Sequence, residues 1–212
     1  MARVRKIERS PIRTNKNYFI VDASFIAEKY LPIGTATTSD SRDRIRECKK
    51  WWREIDRQIE DNRARVYIPD ICIAEAFKVL AKKYYKESSF TSHRKYTLAK
   101  EELSLDVTIS TKELRKQNRQ IKYHDMPTTR DVIIAVDRFY ESFLKNNNNV
   151  GVIDLIIVAN AKYLMDFHDA QKKQLHIITF DKPLWQGTKK ISELPNAYFP
   201  GLGNDTFDKV FR

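Results

Sequence analysis

Glycine is scarce in this chain, with five residues in 212 and none clustered behind the strand-like segment ending at Val21. That scarcity excludes dinucleotide-binding and P-loop enzymes, which need a glycine-rich turn between a strand and a helix. Cysteine is scarcer still. Cys48 and Cys72 each sit among apolar residues in helix-like patterns, as small core side chains in a reducing compartment do, not as a disulfide does. Four histidines and no Cys/His cluster leave nothing for a zinc site. No segment approaches the roughly 18 uninterrupted apolar residues of a membrane span. The N-terminal stretch is basic and polar without an apolar core, so it is not expected to act as a signal peptide. The expected location is the cytoplasm, with no membrane association.

Positive charge is abundant: 39 Lys and Arg against 28 Asp and Glu give a formal charge of +11. A basic protein attracts polyanions, because neutralising phosphates releases their counterions. The same charge also serves solubility, and composition does not choose between the two. The length suits one domain with a substantial core, and no repeat or Pro/Gly-rich linker divides it.

Residues 1–17 read as a basic arm and 18–212 as a single domain. A strand is expected at Tyr18–Val21 and a helix over Ala23–Tyr30. Ile45, Cys48, Trp52, Ile55 and Ile59 mark an amphipathic helix from Asp40 to about Asn62. A strand at Val66–Ile68 leads into a helix reaching about Tyr85, with Asp70 as its expected N-cap. Further on, helical turns fall at Arg94–Leu103 and Thr111–Asn118, and a strand at Ile121–Tyr123. Thr128 or Thr129 caps a helix to about Leu144. Val152–Phe167 reads as a buried helix, apolar nearly all round. A strand covers Leu175–Thr179, and the tail after Pro183 is rich in turn residues. Strands alternating with helices imply an α/β fold with a parallel sheet covered on both faces. In such sheets ligands gather at the carboxyl ends of the strands.

Four carboxylates fall beside apolar runs: Asp22 after the first strand, Glu75 one turn into the helix after the second, Asp154 at the mouth of the most apolar helix, and Asp181 beyond the last strand. Singly, each has a structural explanation. An aspartate at a strand–helix junction caps a helix, and Glu75 with Lys78 and Lys82 fits a solvated stripe. Brought together at one sheet edge, however, four carboxylates repel one another and call for protons or a hard cation with oxygen ligands, Mg²⁺ or Mn²⁺.

The sequence of segments Val21-Asp22-Ala23-Ser24, Ile68-Pro-Asp-x-x-x-x-Glu75, Ile153-Asp154-Leu-Ile-Ile-x-Ala-x-Ala161 and Ile177-Ile-Thr179-x-Asp181 resembles the PIN-domain family, which includes the VapC-type ribonuclease toxins. The resemblance runs from about Tyr18 to Trp185. It implies a three-layer α/β/α build around a parallel sheet of roughly five strands, usually dimeric, with endoribonuclease activity. Position by position, Asp22, Glu75, Asp154 and Asp181 fall on the family's acidic quartet, the expected metal ligands. Ser24 and Thr179 fall on its accessory hydroxyl positions. A toxin would also bring a small antitoxin that blocks the metal pocket. Relative to the small toxins, extra sequence is expected at about 34–64 and 87–130.

Metal-assisted hydrolysis needs no histidine. His93 and His124 lie in polar surroundings, His176 in a strand, and Asp166, His168 and Asp169 at a solvated helix end. An acidic pocket alone would repel RNA, so basic surroundings matter. Arg42, Arg44, Arg46, Lys49, Lys50, Arg53 and Arg57 line the polar side of the long helix beside Trp51. A second set, including Lys82, Lys83 and Lys86, is interleaved with Tyr84, Tyr85, Phe90 and Tyr96, as suits a single strand with stacked bases. Asp43, Glu47, Glu54 and Asp56 among the first set also fit an ordinary charged helix face. Two alternatives are weighed. A haloacid-dehalogenase phosphatase would carry a second aspartate where Ser24 stands. A PIN-like scaffold that binds RNA or assembles without turnover, or a housekeeping RNA-processing nuclease, would share these motifs.

Overall fold

Five short strands, the central three buried along most of their length, form the centre of the computed structural model, which describes residues 16–36, 38–201 and 204–211. They are β1 (Asn17–Val21), β2 (Ala64–Pro69), β3 (His124–Met126), β4 (Leu175–Ile178) and β5 (Asn196–Tyr198). All pair in parallel in the order β3-β2-β1-β4-β5. Phe19 in β1 stands opposite Val66 on one side and His176 on the other. Continuous burial, with Phe19, Ile20, Val21, Ile177 and Ile178 all at 0% exposure, is what a parallel sheet covered on both faces requires. The fold is thus α/β, as expected.

The helices are α1 (Ala23–Lys29), α2 (Ser39–Glu60), α3 (Asp70–Tyr85), α4 (His93–Asp106), α5 (Thr111–Lys116), α6 (Arg130–Lys145), α7 (Val152–Phe167), α8 (Lys182–Thr188) and α9 (Asn204–Phe211). None is long and apolar enough to cross a membrane among the described residues. Side-chain oxygens begin several of them. Thr38 accepts from Ser41 N–H at α2, and Thr129 accepts from Val132 N–H at α6. The segment expected as a first insertion holds a 3-10 turn (Ile33–Thr35) and α2; the second holds α4, α5 and β3. The basic arm expected over 1–17 lies outside the described residues except for Lys16 and Asn17, the latter already part of β1.

Several local expectations are corrected. Asp70 is the first residue of α3, not its cap; Pro69 occupies the cap position and offers no side-chain acceptor. The third strand lies at His124–Met126, because Tyr123 leaves the sheet to pack on Trp52 with ring centroids 5.4 Å apart. α7 is not buried all round: Val152, Tyr163 and Phe167 are 54–66% exposed. Trp51 is not on the polar face of α2. It is buried edge-on against Phe207 and Phe211 of α9, an element that the turn-rich tail concealed.

Candidate active site

The strand order fixes where the chemistry lies. From β1 the chain moves outward to β2 and β3, then returns to the other side of β1 to form β4 and β5. The connections therefore diverge between β1 and β4, which leaves a crevice at their carboxyl ends. Asp22 follows β1, and Thr179 follows β4.

Asp22 is 7% exposed and accepts three hydrogen bonds. Its Oδ1 accepts from Phe25 N–H at 2.6 Å, which caps α1. Its Oδ2 accepts from the Thr179 hydroxyl at 2.6 Å and from Phe180 N–H at 3.0 Å. Burial nevertheless pushes this carboxyl above its ordinary range, against those donors and the nearby charge of Arg44. The Thr179 oxygen also accepts from Asp181 N–H at 2.8 Å. One hydroxyl therefore ties the first and last acids together. Asp181 in turn caps α8 through Leu184 N–H at 2.6 Å.

Asp154 stands in the first turn of α7, its Oδ2 accepting from Gly151 N–H at 3.2 Å. Burial, then the charges of Asp181, Asp22 and Glu75, push it up to about 7. Glu75 is half-buried and accepts no hydrogen bond among the described residues, yet its charge reaches Asp154. The Cys72 thiol beneath them is raised by burial and by Asp22, Glu75 and Asp154. The other three sequence-predicted acids thus lie within electrostatic reach of Asp154. Among the described residues, though, no group of three or more His, Cys, Asp or Glu side chains is arranged so that it could hold a metal ion. The donor chemistry fits a hard divalent cation; the spacing in this conformation does not yet close around one.

Thr179 holds the first aspartate, as an accessory hydroxyl would. Ser24 instead lines an adjoining cavity of about 510 Å³ together with Glu28 and Arg44. Sequence reasoning missed Glu28, whose only signal was an acid inside the apolar run Phe25–Leu31. It is 4% exposed, and burial raises it to about 7 despite Arg44, whose Nε lies 2.6 Å from its Oε1. The Arg44 guanidinium also covers the Phe180 ring at 4.1 Å, linking α2 to the loop that holds Asp22.

Much of the predicted basic stripe is already engaged, by acids of α2 itself or by α1. Arg46 pairs with Asp43, Lys50 with Glu47 and Arg57 with Glu54, while Lys49 donates to the Lys29 carbonyl. Of the predicted stacking aromatics, Phe90 and Tyr96 are core residues, and Tyr84 lies flat on Tyr96 at 4.6 Å. Tyr85 alone of that set is strongly exposed, at 70%. The histidines stay outside the acidic edge. His168, at the far end of α7 from Asp154, bonds Tyr67 and stacks on Tyr18. His176 is buried and pushed down to about 4 by burial.

The five-stranded parallel sheet with helices on both faces defines the fold as α/β of PIN-like build. The fold is similar to FitAB bound to an IR36 DNA fragment, at a TM-score of 0.50 and 15% identity over 86% of this chain and 95% of that one. FitAcB from Neisseria gonorrhoeae matches at 0.49 and 15% identity, covering 87% and 99%. VapBC2 from Rickettsia felis, bound to promoter DNA, matches at 0.48 and 10%, covering 86% and 98%. No family model and no curated protein matches the sequence.

Proposed function

We propose that this chain is a divalent-metal-dependent endoribonuclease of the PIN type. One observation carries the reading: acids from three other segments, Asp181, Asp22 and Glu75, all act on Asp154, which burial and their charges raise to about 7. A fold tolerates such like-charge crowding at a functional site more readily than for stability. Asp22 and Asp154 would be direct ligands of Mg²⁺ or Mn²⁺, with Glu75 and Asp181 completing the set. When bound, the ion would supply an acidified water and charge stabilisation at the scissile phosphate. The chain's own part is to hold that set. Thr179 and the Phe180 and Phe25 amides fix Asp22, while half-buried Glu75 accepts no hydrogen bond among the described residues.

The likeness in fold to FitAB motivates the toxin of a toxin–antitoxin pair. An antitoxin arginine or lysine inserted among the acids would satisfy the charges that metal otherwise satisfies. A homodimer through α6 and α7 is part of the reading, supported by exposed Ile133, Ile134 and Phe167. The test is incubation with RNA and Mn²⁺ or Mg²⁺. Cleavage should appear, stop with chelator and stop with Asp22→Asn; cleavage that ignores either change removes the mechanism. The second reading is a non-catalytic RNA-binding or assembly module, favoured by the lack of an assembled metal group among the described residues. Metal-independent RNA binding without cleavage would select it. Cleavage by a protein that captures no small partner from its native cells would favour a housekeeping RNA-processing role.

A further inference from the structure

The face of α3 that carries Glu75 continues away from the acidic edge as a ridge of positive charge. Lys78, Lys82 and Lys86 follow Glu75 at helical spacing, all three exposed. Positions three and four apart share a helix face, and at 1.5 Å per residue the lysines stand about 6 Å apart along the axis. That step is of the order of the spacing between phosphates in an extended single strand. From Glu75 to Lys86 the ridge spans about 16 Å. Lys78 and Lys86 make no ion pair among the described residues, and Lys82 has only a 3.5 Å contact with Glu87, which Lys83 already holds at 2.6 Å. Exposed pairs of that kind are weak.

A second observation lies on the same face. Tyr85 is 70% exposed, yet its ring is braced edge-on by Tyr84 at 4.7 Å and Tyr96 at 5.9 Å. An exposed ring held rigid from behind is a platform for a flat partner, and every base offers a π-face. Tyr85, Lys78, Lys82, Lys86 and Glu75 all line one open groove of about 380 Å³. It therefore begins at a candidate metal ligand and ends between an aromatic and a cation.

We propose that the α3 ridge is the path of the substrate strand: Lys78, Lys82 and Lys86 each engage a backbone phosphate, and Tyr85 stacks a base leading away from the acidic edge. The proposal rests on the ribonuclease reading for its choice of ligand, single-stranded RNA. Its test is arranged so that the two can fail separately. Binding of a short fluorescein-labelled single-stranded RNA of mixed sequence is followed by anisotropy in EDTA, where metal-dependent cleavage is off, across a range of salt. Cleavage is measured apart, with Mn²⁺.

Substituting each lysine by glutamine should weaken binding and lower the slope of log affinity against log salt by about 0.7 per lysine. Tyr85→Ala should weaken binding about tenfold with the slope unchanged, and Tyr85→Phe should bind as the parent does. Lys173→Gln, an exposed control just before β4 at the opposite edge of the sheet, should change nothing. Melting temperatures confirm that the variants fold. A triple lysine variant with parental affinity and slope overturns the path, even if the protein cleaves RNA. Loss of binding in that variant supports it, even if no metal yields cleavage. Should the triple variant instead lose only an acidic peptide and keep RNA, the ridge docks a protein and the proposal is overturned.

Discussion

Asp106 and Asp154 are both withdrawn from water, but their surroundings treat them in opposite ways. Asp106, 2% exposed at the end of α4, receives Lys29 at 3.3 Å, Lys122 at 3.1 Å, Arg119 at 2.9 Å and the Tyr30 hydroxyl at 3.0 Å. Burial would raise its carboxyl, but those cations and hydrogen bonds hold it below the ordinary value. Asp154 has one backbone donor and three acids around it, and is raised to about 7. The first cluster staples α1, α2, α4 and the segment leading to β3 by satisfying its charges. The second leaves its charges unsatisfied, as a site awaiting a cation or a substrate does.

Breaking the satisfied cluster should have the largest effect. Asp106→Asn takes the shared acid from three cations, leaving Lys29 and Lys122 only Asp56, and should cost about 3–5 kcal/mol in urea unfolding, while leaving any cleavage per folded molecule intact. The native contribution of Asp106 is present above its unfolded value of 3.8 and is lost as pH falls through its lower folded value.

Asp154→Asn should do the reverse. If Asp154 is the metal ligand proposed above, cleavage should fall by about 10²-fold or more, yet metal-free stability at pH 8 should rise. The native Asp154 holds its proton up to about 7 and the unfolded one only to 3.8. Stability is therefore lost as pH climbs through that window, and melting temperatures recorded across it should show a steeper decline in the parent than in the variant, in which Glu28 and Asp22 still titrate. A variant less stable than the parent at pH 8 would show that the acids are not strained together.

Smaller effects sharpen the contrast. Thr179→Val removes a buried donor to Asp22 and should cost about 1–3 kcal/mol. It should also raise the apparent pKa that limits cleavage, because Asp22 loses a hydrogen bond that favours its charged form. Glu75→Gln should alter stability by no more than about 0.5 kcal/mol but lower the pKa of Asp154, measurable by carboxyl chemical shifts.

The long, strongly patterned elements were legible beforehand. α1, α2, α7 and β4 fall within a residue or two of their expected places, because apolar spacing is a local property. Three-residue strands were not: β3 was placed three residues early and β5 was missed, since a pairing that short is decided by its neighbours. The acids of the candidate site were legible because each adjoins an apolar run. Glu28 and the burial of Phe90 and Tyr96 were not. Which side of a helix is covered depends on elements far along the chain, as α9 covering Trp51 and α4 covering Tyr84 demonstrate.

By itself the sequence determined the alternation of strands and helices, and hence a parallel sheet with its acids at strand ends, because side-chain periodicity and helix capping act over a few residues. Only the tertiary structure decided that Asp22 and Asp181 meet through one threonine hydroxyl, that Arg44 and Lys49 of the basic stripe on α2 turn to α1, and that Tyr85 stands exposed beside Lys78 and Lys82. Those outcomes depend on desolvation and on charges in the same space, which residues distant in the chain supply.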